Sequence, residues 1–299
     1  MRACTILQSR RRRNSVSREN IDCNGVFSTT HCRYEICEKY GIPYKRIGKW
    51  IVAQTPQQAQ YLQLMHLRAK SLKVPTRFIN IEEVKRLEPE IQAKEAVLES
   101  SSTGIIDSHS LMLYLLGQFE DRGGDIVYKA TVTAILPRSG GGYDVTINSN
   151  AEDITIDAGV VINSAGLHAC QVSNMLLPKE RQIKPFYAKG NYFSYGISRP
   201  KPQRLIYPCP EENLPRCHSL FANAQGSLGT HLTLDLSGRV KFGPDIQWIA
   251  DPTDYTVDDS RLDEVYASVA EYLPTIDRNS LNGDYAGIRY NIKLTSKSD

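Results

Sequence analysis

Gly159-Val-Val-Ile-Asn163 carries no polar alternation and runs straight into Ser164-Ala165-Gly166. A strand that is apolar on both faces is buried on both, and that calls for a parallel sheet with a layer on either side. Small residues at the carboxyl end of such a strand let a ligand approach the backbone, and open α/β sheets bind cofactors there. The chain is therefore expected to contain an α/β layer centred on residues 159–163.

The residues upstream agree with this. Asp107 or Ser108 caps a predicted helix through Arg122, with Leu111, Met112, Leu115, Leu116 and Phe119 on one face, and Gly123-Gly124 ends it. Three strands are predicted at 126–136, 143–147 and 154–157, the second entered across Gly140-Gly-Gly142. Nearer the start, Lys49-Trp-Ile-Val-Ala53 and Ala96 to Ser100 read as strands, and Phe78-Ile79 as extended. Gln57 to Val74, behind Pro56, and Ile81 to Leu87, stopped by Pro89, read as helices. His31 to Tyr40 is a further predicted helix, closed by Gly41 and Pro43. The stretch 185–250 is rich in short strands and turns, with Ser237-Gly238 a hairpin turn, and Ser260 is expected to cap a helix ended by Pro274.

At 299 residues, with 41% hydrophobic and 23% charged side chains, the chain has ordinary globular values. Its longest apolar run, Leu111 to Leu116, is far short of a membrane span, which leaves peripheral membrane association open. Residues 1–18 hold six arginines and no acid; subtracting those six leaves 30 bases against 33 acids. The body is thus mildly acidic, which argues against a nucleic-acid partner, and the Arg-rich, Ser-containing start has the composition of a mitochondrial transit peptide or of a solvated tail. The seven cysteines include no C-x-x-C pair, so structural thiols are expected, with no metal site from His31, Cys32 and Cys37.

The order helix, strand, meander, apolar strand and small-residue loop resembles the middle section of the D-amino-acid-oxidase-like FAD-dependent oxidoreductases. Further motifs follow in order. They are Gly41-Ile-Pro-Tyr44, Gly48-Lys-Trp-Ile-Val-Ala53, Pro185-Phe-Tyr-Ala-Lys-Gly-Asn-Tyr-Phe193, Leu205-Ile-Tyr-Pro208, Gly229-Thr-His-Leu-Thr233, Gly238-Arg-Val-Lys-Phe-Gly-Pro-Asp245 and Asp284-Tyr-Ala-Gly-Ile-Arg289. Together they resemble the L-2-hydroxyglutarate dehydrogenase branch of that family. The resemblance implies a mixed α/β fold: an incomplete, Rossmann-like FAD-binding layer (31–45, 104–184 and 281–299) interleaved with a mainly antiparallel substrate domain (46–103 and 185–280), after a leader over 1–30. It implies FAD as cofactor, with the backbone at Val132 meeting its adenine side and Ala165-Gly166 approached by its pyrophosphate. It also implies a small 2-hydroxy acid as substrate and an electron acceptor (quinone, flavoprotein carrier or oxygen) that the residues do not specify.

Oxidising a 2-hydroxy acid moves a hydride from C2 while a base takes the hydroxyl proton. His231, between Thr230 and Thr233, is the candidate for the proton, against the alternative of a satisfied structural histidine. Carboxylate anchors call for arginine, and the resemblance puts Arg289 in that role. Tyr207 and Lys189 are candidates to line the pocket, or else packing or solvated residues; Arg239 and Lys241 are expected to brace the hairpin.

The sequence also departs from the family. It has no G-x-G-x-x-G, and only Arg13-Asn-Ser15 survives of the next motif. Asn24-Gly-Val-Phe27 stands where a flavin-side histidine is expected, Tyr290 where a proline is, and the chain ends in the polar Ser296-Lys-Ser-Asp299. Residues 215–226 read as an insertion. These departures predict loss of most phosphate recognition, so that the purified protein lacks the visible flavin absorbance, and an exposed sheet edge. They keep open two alternatives: a glycine- or sarcosine-oxidase-like flavoenzyme, and a non-catalytic remnant.

Overall fold

The computed structural model describes residues 34–196, 202–210 and 229–292. The leader, the Arg13-Asn-Ser15 and Asn24 to Phe27 segments, and the expected insertion at 215–226 lie outside the described residues. After a helical stretch over 34–40 come β1 (Tyr44–Lys45), β2 (Lys49–Ala53), α1 (Pro56–Ser71), β3 (Thr76–Ile79), α2 (Ile81–Leu87), β4 (Ala96–Ser100) and β5 (Ile105–Ile106). The chain continues through α3 (Ser108–Glu120), β6 (Ala130–Pro137), β7 (Tyr143–Ser149), β8 (Glu152–Ala158) and α4 (Ala169–Asn174). It closes with β9 (Pro185–Tyr195), β10 (Leu205–Pro208), β11 (Leu232–Leu234), β12 (Val240–Phe242), β13 (Gln247–Ile249), α5 (Leu262–Ala270) and β14 (Leu281–Ile292). The result is a mixed α/β fold in which a helix-and-strand region interrupts a mainly antiparallel β region in sequence. Residues 34–112 and 188–287 form one compact unit, and 113–187 with 288–292 the other.

The larger unit is built on a nine-stranded sheet in the order β13-β9-β12-β11-β10-β2-β4-β3, with β14 beside β9. β2 and β10 are parallel, pairing Lys49 with Leu205 and Ile51 with Tyr207, and join two antiparallel halves. Strand alternation sends Trp50, Val52, Phe193, Ile206, Leu232, Val240 and Phe242 to one face, where they pack with Val265 and Val269 of α5 and with Tyr272. Each such fully buried side chain contributes about 1.5–3 kcal/mol of transfer free energy. At the β2–β4 end, α1 covers the other face through Leu62 against Ala53 and Leu98. Local signals hold the short helices. Thr55 accepts from the Gln58 N–H ahead of Pro56, and Asn80 from the Glu83 N–H. The expected cap at Ser260 is displaced to Asp258, whose carboxylate accepts from the Ser260 N–H to open a 3₁₀ turn, Asp259–Arg261, before α5. Residues 34–45, expected with the cofactor layer, fall in the larger unit: β1 pairs with β5 and Lys45 donates to the Leu236 carbonyl at 2.6 Å.

The smaller unit is the β6-β7-β8 meander, with Val132, Ile135, Val145 and Ala158 packed on Val172 of α4. At Gly142, with φ +84°, a Cβ would meet the Ala158 carbonyl oxygen at 2.8 Å, so this turn requires glycine. Here the structure corrects the opening expectation. Residues 159–163 belong to no sheet, and Val160 and Ile162 are 59% and 49% exposed. An apolar run records what a strand tolerates around it; burial on two faces also needs neighbouring strands, and none pairs with it among the described residues. The same holds for two flanking elements. α3 buries none of its residues, leaving Met112, Leu113 and Leu115 exposed, and the first meander strand starts at Ala130, with Val127 and Tyr128 exposed before it.

Candidate functional site

Among the described residues no hydrophobic cluster packs on the sheet face opposite the main core over β10, β11 and β12, and the same period of two that buries Trp50 and Leu232 turns Lys49, Tyr207, His231, Thr233 and Lys241 to it. The rings of Tyr207 and His231 stack with centroids 3.7 Å apart and planes 2° from parallel. The His231 carbonyl accepts from the Gly243 N–H at 3.0 Å, tying the histidine backbone to the end of β12. From β2, on the other side of Tyr207, the Lys49 ammonium lies 5.0 Å from the centre of the phenol ring. The phenol therefore stands between a cation and an imidazole, β2 and β10 supplying Lys49 and Tyr207 and the residue just ahead of β11 supplying His231. Burial, and after it the neighbouring Tyr192, hold the Tyr207 hydroxyl above the usual phenol range, so it remains a proton donor at neutral pH. Burial alone pushes the Lys49 ammonium below the usual lysine range.

Further along this face the Tyr192 and Tyr285 rings stack at 4.5 Å and 10°. Lys241 reaches Asp284 at 2.7 Å and lies 4.9 Å from the Tyr285 ring centre. Lys241, expected to brace the hairpin, thus belongs to the open face. Arg239 does brace the turn, donating to Asp235 at 2.8 Å. Lys49, Tyr192 and Tyr285 were not singled out from sequence; alternation against Trp50 and Phe193 is the signal that exposes the first two.

Of the other candidates, Lys189 belongs to the same unit as this face. Lys189 is only 4% exposed, and its ammonium donates to Asp254 Oδ2 and the Thr256 carbonyl, both at 2.9 Å. The structure thus corrects the pocket-lining expectation: this lysine clamps the 254–256 loop to β9. The hydrogen bond from Lys189 is the main cause that lowers the Asp254 carboxyl to about 2. A depressed carboxyl stabilises the fold above its unfolded value near 3.9 and loses that contribution as pH falls toward the folded value. Stability is therefore expected to drop between about pH 4 and pH 2, and Asp254→Asn to be less stable at neutral pH with a flatter acid limb; urea unfolding across pH checks both.

Arg289 sits on β14 in the smaller unit and is exposed. Val132 pairs with Ile147 next to a bulge, its side chain in the meander core. Ala165 and Gly166 follow the uncovered 159–163 segment, and Gly166 has φ +56° with open space where a Cβ would point.

A profile of the FAD-dependent oxidoreductase family matches residues 24–294. The mitochondrial L-2-hydroxyglutarate dehydrogenase of Arabidopsis thaliana is 32% identical over 86% of this chain. The chain spans 58% of that relative's length. Among solved structures, L-proline dehydrogenase from P. horikoshii superposes with a TM-score of 0.70 at 16% identity, over 92% of this chain and 68% of its own. Glycine oxidase from Geobacillus kaustophilus gives 0.67, also at 16% identity, over 92% and 70%. These two likenesses speak for the fold alone.

The cofactor of the matched family is FAD. The described residues meet its demands in part. Gly166 leaves its backbone open to a phosphate, but the segment leading into it lacks the flanking strands of a closed nucleotide cradle, as the exposure of Val160 and Ile162 records. Among the described residues no helix is long and apolar enough to cross a membrane.

Proposed function

The chain belongs to the FAD-dependent oxidoreductase family, and on that premise we propose that it acts on L-2-hydroxyglutarate, yielding 2-oxoglutarate. The observation that carries this reading is the Tyr207–His231 stack, flanked by Lys49, on the sheet face opposite the main core. The reaction needs a proton acceptor at the hydroxyl, a donor for the oxygen or carboxylate, and positive charge for two carboxylates, and this face presents all three types of group. FAD, when bound, supplies the acceptor for the hydride from C2. His231 takes the hydroxyl proton, and the protonated Tyr207 orients the substrate by hydrogen bonding. Arg289 enters as a carboxylate anchor, and Val132, Ala165 and Gly166 as cofactor contacts, through their motifs alone. The A. thaliana relative and the Arg-rich start support a mitochondrial setting. The electron acceptor stays unnamed in this reading.

The test is a substrate panel with the FAD-supplemented chain under anaerobic conditions, following loss of the visible flavin absorbance. L-2-hydroxyglutarate is expected to reduce the flavin at least about tenfold faster than D-2-hydroxyglutarate, L-lactate, glycine or sarcosine, since a site built for a polar group rejects analogues that leave it unpaired. Preference for glycine or sarcosine would move the chain to the amine-oxidising relatives. Reduction by none of them would favour a non-catalytic role, the reading to which the uncovered 159–163 segment points.

A further inference from the structure

We infer that Lys49 is the specificity-determining residue of the open sheet face, binding the carboxylate that a dicarboxylic 2-hydroxy or 2-oxo acid carries at the end remote from C2. The inference rests on the 2-hydroxy acid reading of this face and goes beyond it by assigning the group that separates dicarboxylates from monocarboxylates.

Other cations of this unit are already satisfied. Lys241 is neutralised by Asp284 at 2.7 Å, Arg204 by Glu88 at 2.9 Å, and Arg239 by Asp235 at 2.8 Å. Lys45, on β1, donates to the Leu236 carbonyl at 2.6 Å. Lys49 has no carboxylate within ion-pair distance among the described residues, and no nearby charge offsets the burial that lowers its affinity for the proton. A partly desolvated cation without an anion is costly, and the Tyr207 ring compensates only in part. Such an ammonium is poised for an incoming anion, which would gain a charge-assisted hydrogen bond and relieve the desolvation at once. Its position decides which anion. Lys49 is on β2 and His231 borders β11, with β10 and the Tyr207 ring between them. A ligand that presents its C2 oxygen to His231 therefore extends across the edge of Tyr207 before its far end meets Lys49. A monocarboxylate has no group to place there.

The experiment is isothermal calorimetry of the purified full chain with 2-oxoglutarate and with 2-oxobutyrate, which lacks the remote carboxylate, repeated for Lys49→Met and Lys49→Arg. Folding of each variant is verified by circular dichroism and thermal unfolding. The wild type is expected to prefer 2-oxoglutarate. Lys49→Met is expected to weaken that ligand about 10–100-fold, the value of one charge-assisted bond, while leaving 2-oxobutyrate within about twofold. Lys49→Arg should recover much of the preference, which a role confined to packing against Tyr207 would not produce. If Lys49→Met folds and keeps the wild-type preference, the assignment of Lys49 is wrong while the reading of the face stands. If the wild type binds neither oxo acid, the reading of the face fails and this assignment falls with it. Should Lys49→Met not fold, Lys49→Arg and Lys49→Gln decide: a preference unchanged in both overturns the assignment.

Discussion

Replacing His231 with glutamine is expected to slow flavin reduction by L-2-hydroxyglutarate about 10²–10⁴-fold, the usual contribution of a positioned general base. The amide can still lie against Tyr207 and hydrogen-bond, but it cannot take a proton, so the loss should appear in the rate of the reductive step far more than in the affinity for 2-oxoglutarate. The stack makes this separation possible: the His231 ring lies 3.7 Å from the phenol ring, and its backbone carbonyl accepts from the Gly243 N–H, without any help from a substrate. Rapid-reaction kinetics of the FAD-supplemented variant, with calorimetry for binding, provide both numbers. An equal loss in rate and affinity would make His231 a substrate anchor, and an unchanged rate would remove it from the chemistry altogether.

The second large effect lies beneath the site. Trp50→Ala is expected to destabilise the chain by about 3–5 kcal/mol, as large aromatic-to-alanine truncations in cores do. Trp50 is fully buried at the parallel β2–β10 seam; its indole N–H donates to Glu99 at 3.2 Å, and the Arg204 guanidinium lies 4.4 Å from the ring centre. Truncation leaves a cavity and removes the surface on which Arg204 rests, while Arg204 stays tied to Glu88, itself nearly buried and pushed up in pKa chiefly by that burial. Trp50→Phe keeps the ring and loses the N–H, so its cost should be clearly smaller. Denaturant unfolding followed by far-ultraviolet circular dichroism measures both; equal costs for the two variants would mean that the Glu99 hydrogen bond outweighs packing.

What could be read from the sequence follows from the range over which each feature is determined. β2, α1, α2 and β4 were legible because caps, prolines and alternation act within a few residues: Asn80 ahead of Glu83 and Thr55 ahead of Pro56 are local statements. The helix cap at Asp258 was misplaced because Asp258, Asp259 and Ser260 are all competent N-caps, and only tertiary geometry selects among them. Residues 159–163 were misread because their composition reports a capacity for burial, whereas burial depends on neighbours. Between pocket lining and packing, Lys189 could not be decided from sequence because its partner lies 65 residues away. The Tyr207 and His231 candidates came from motif resemblance, but their stacking, and the arrival of Lys49 beside them, depend on a β2–β10 register that no local pattern encodes.

That register also sets when the site can exist. Lys49 pairs opposite Leu205, so the three groups meet only after a very long loop has closed, and such non-local pairing is slow relative to hairpin formation. The β2–β4–β3 ladder can form early from contacts within the first hundred residues, while the open face that carries Tyr207 and His231 is among the last surfaces to be assembled. A chain emerging from the ribosome is thus expected to be able to pair β2, β4 and β3 before the residues of the site have been made, and lesions that slow the seam without unfolding the ladder are expected to lower the yield of competent molecules and leave the properties of each finished one intact.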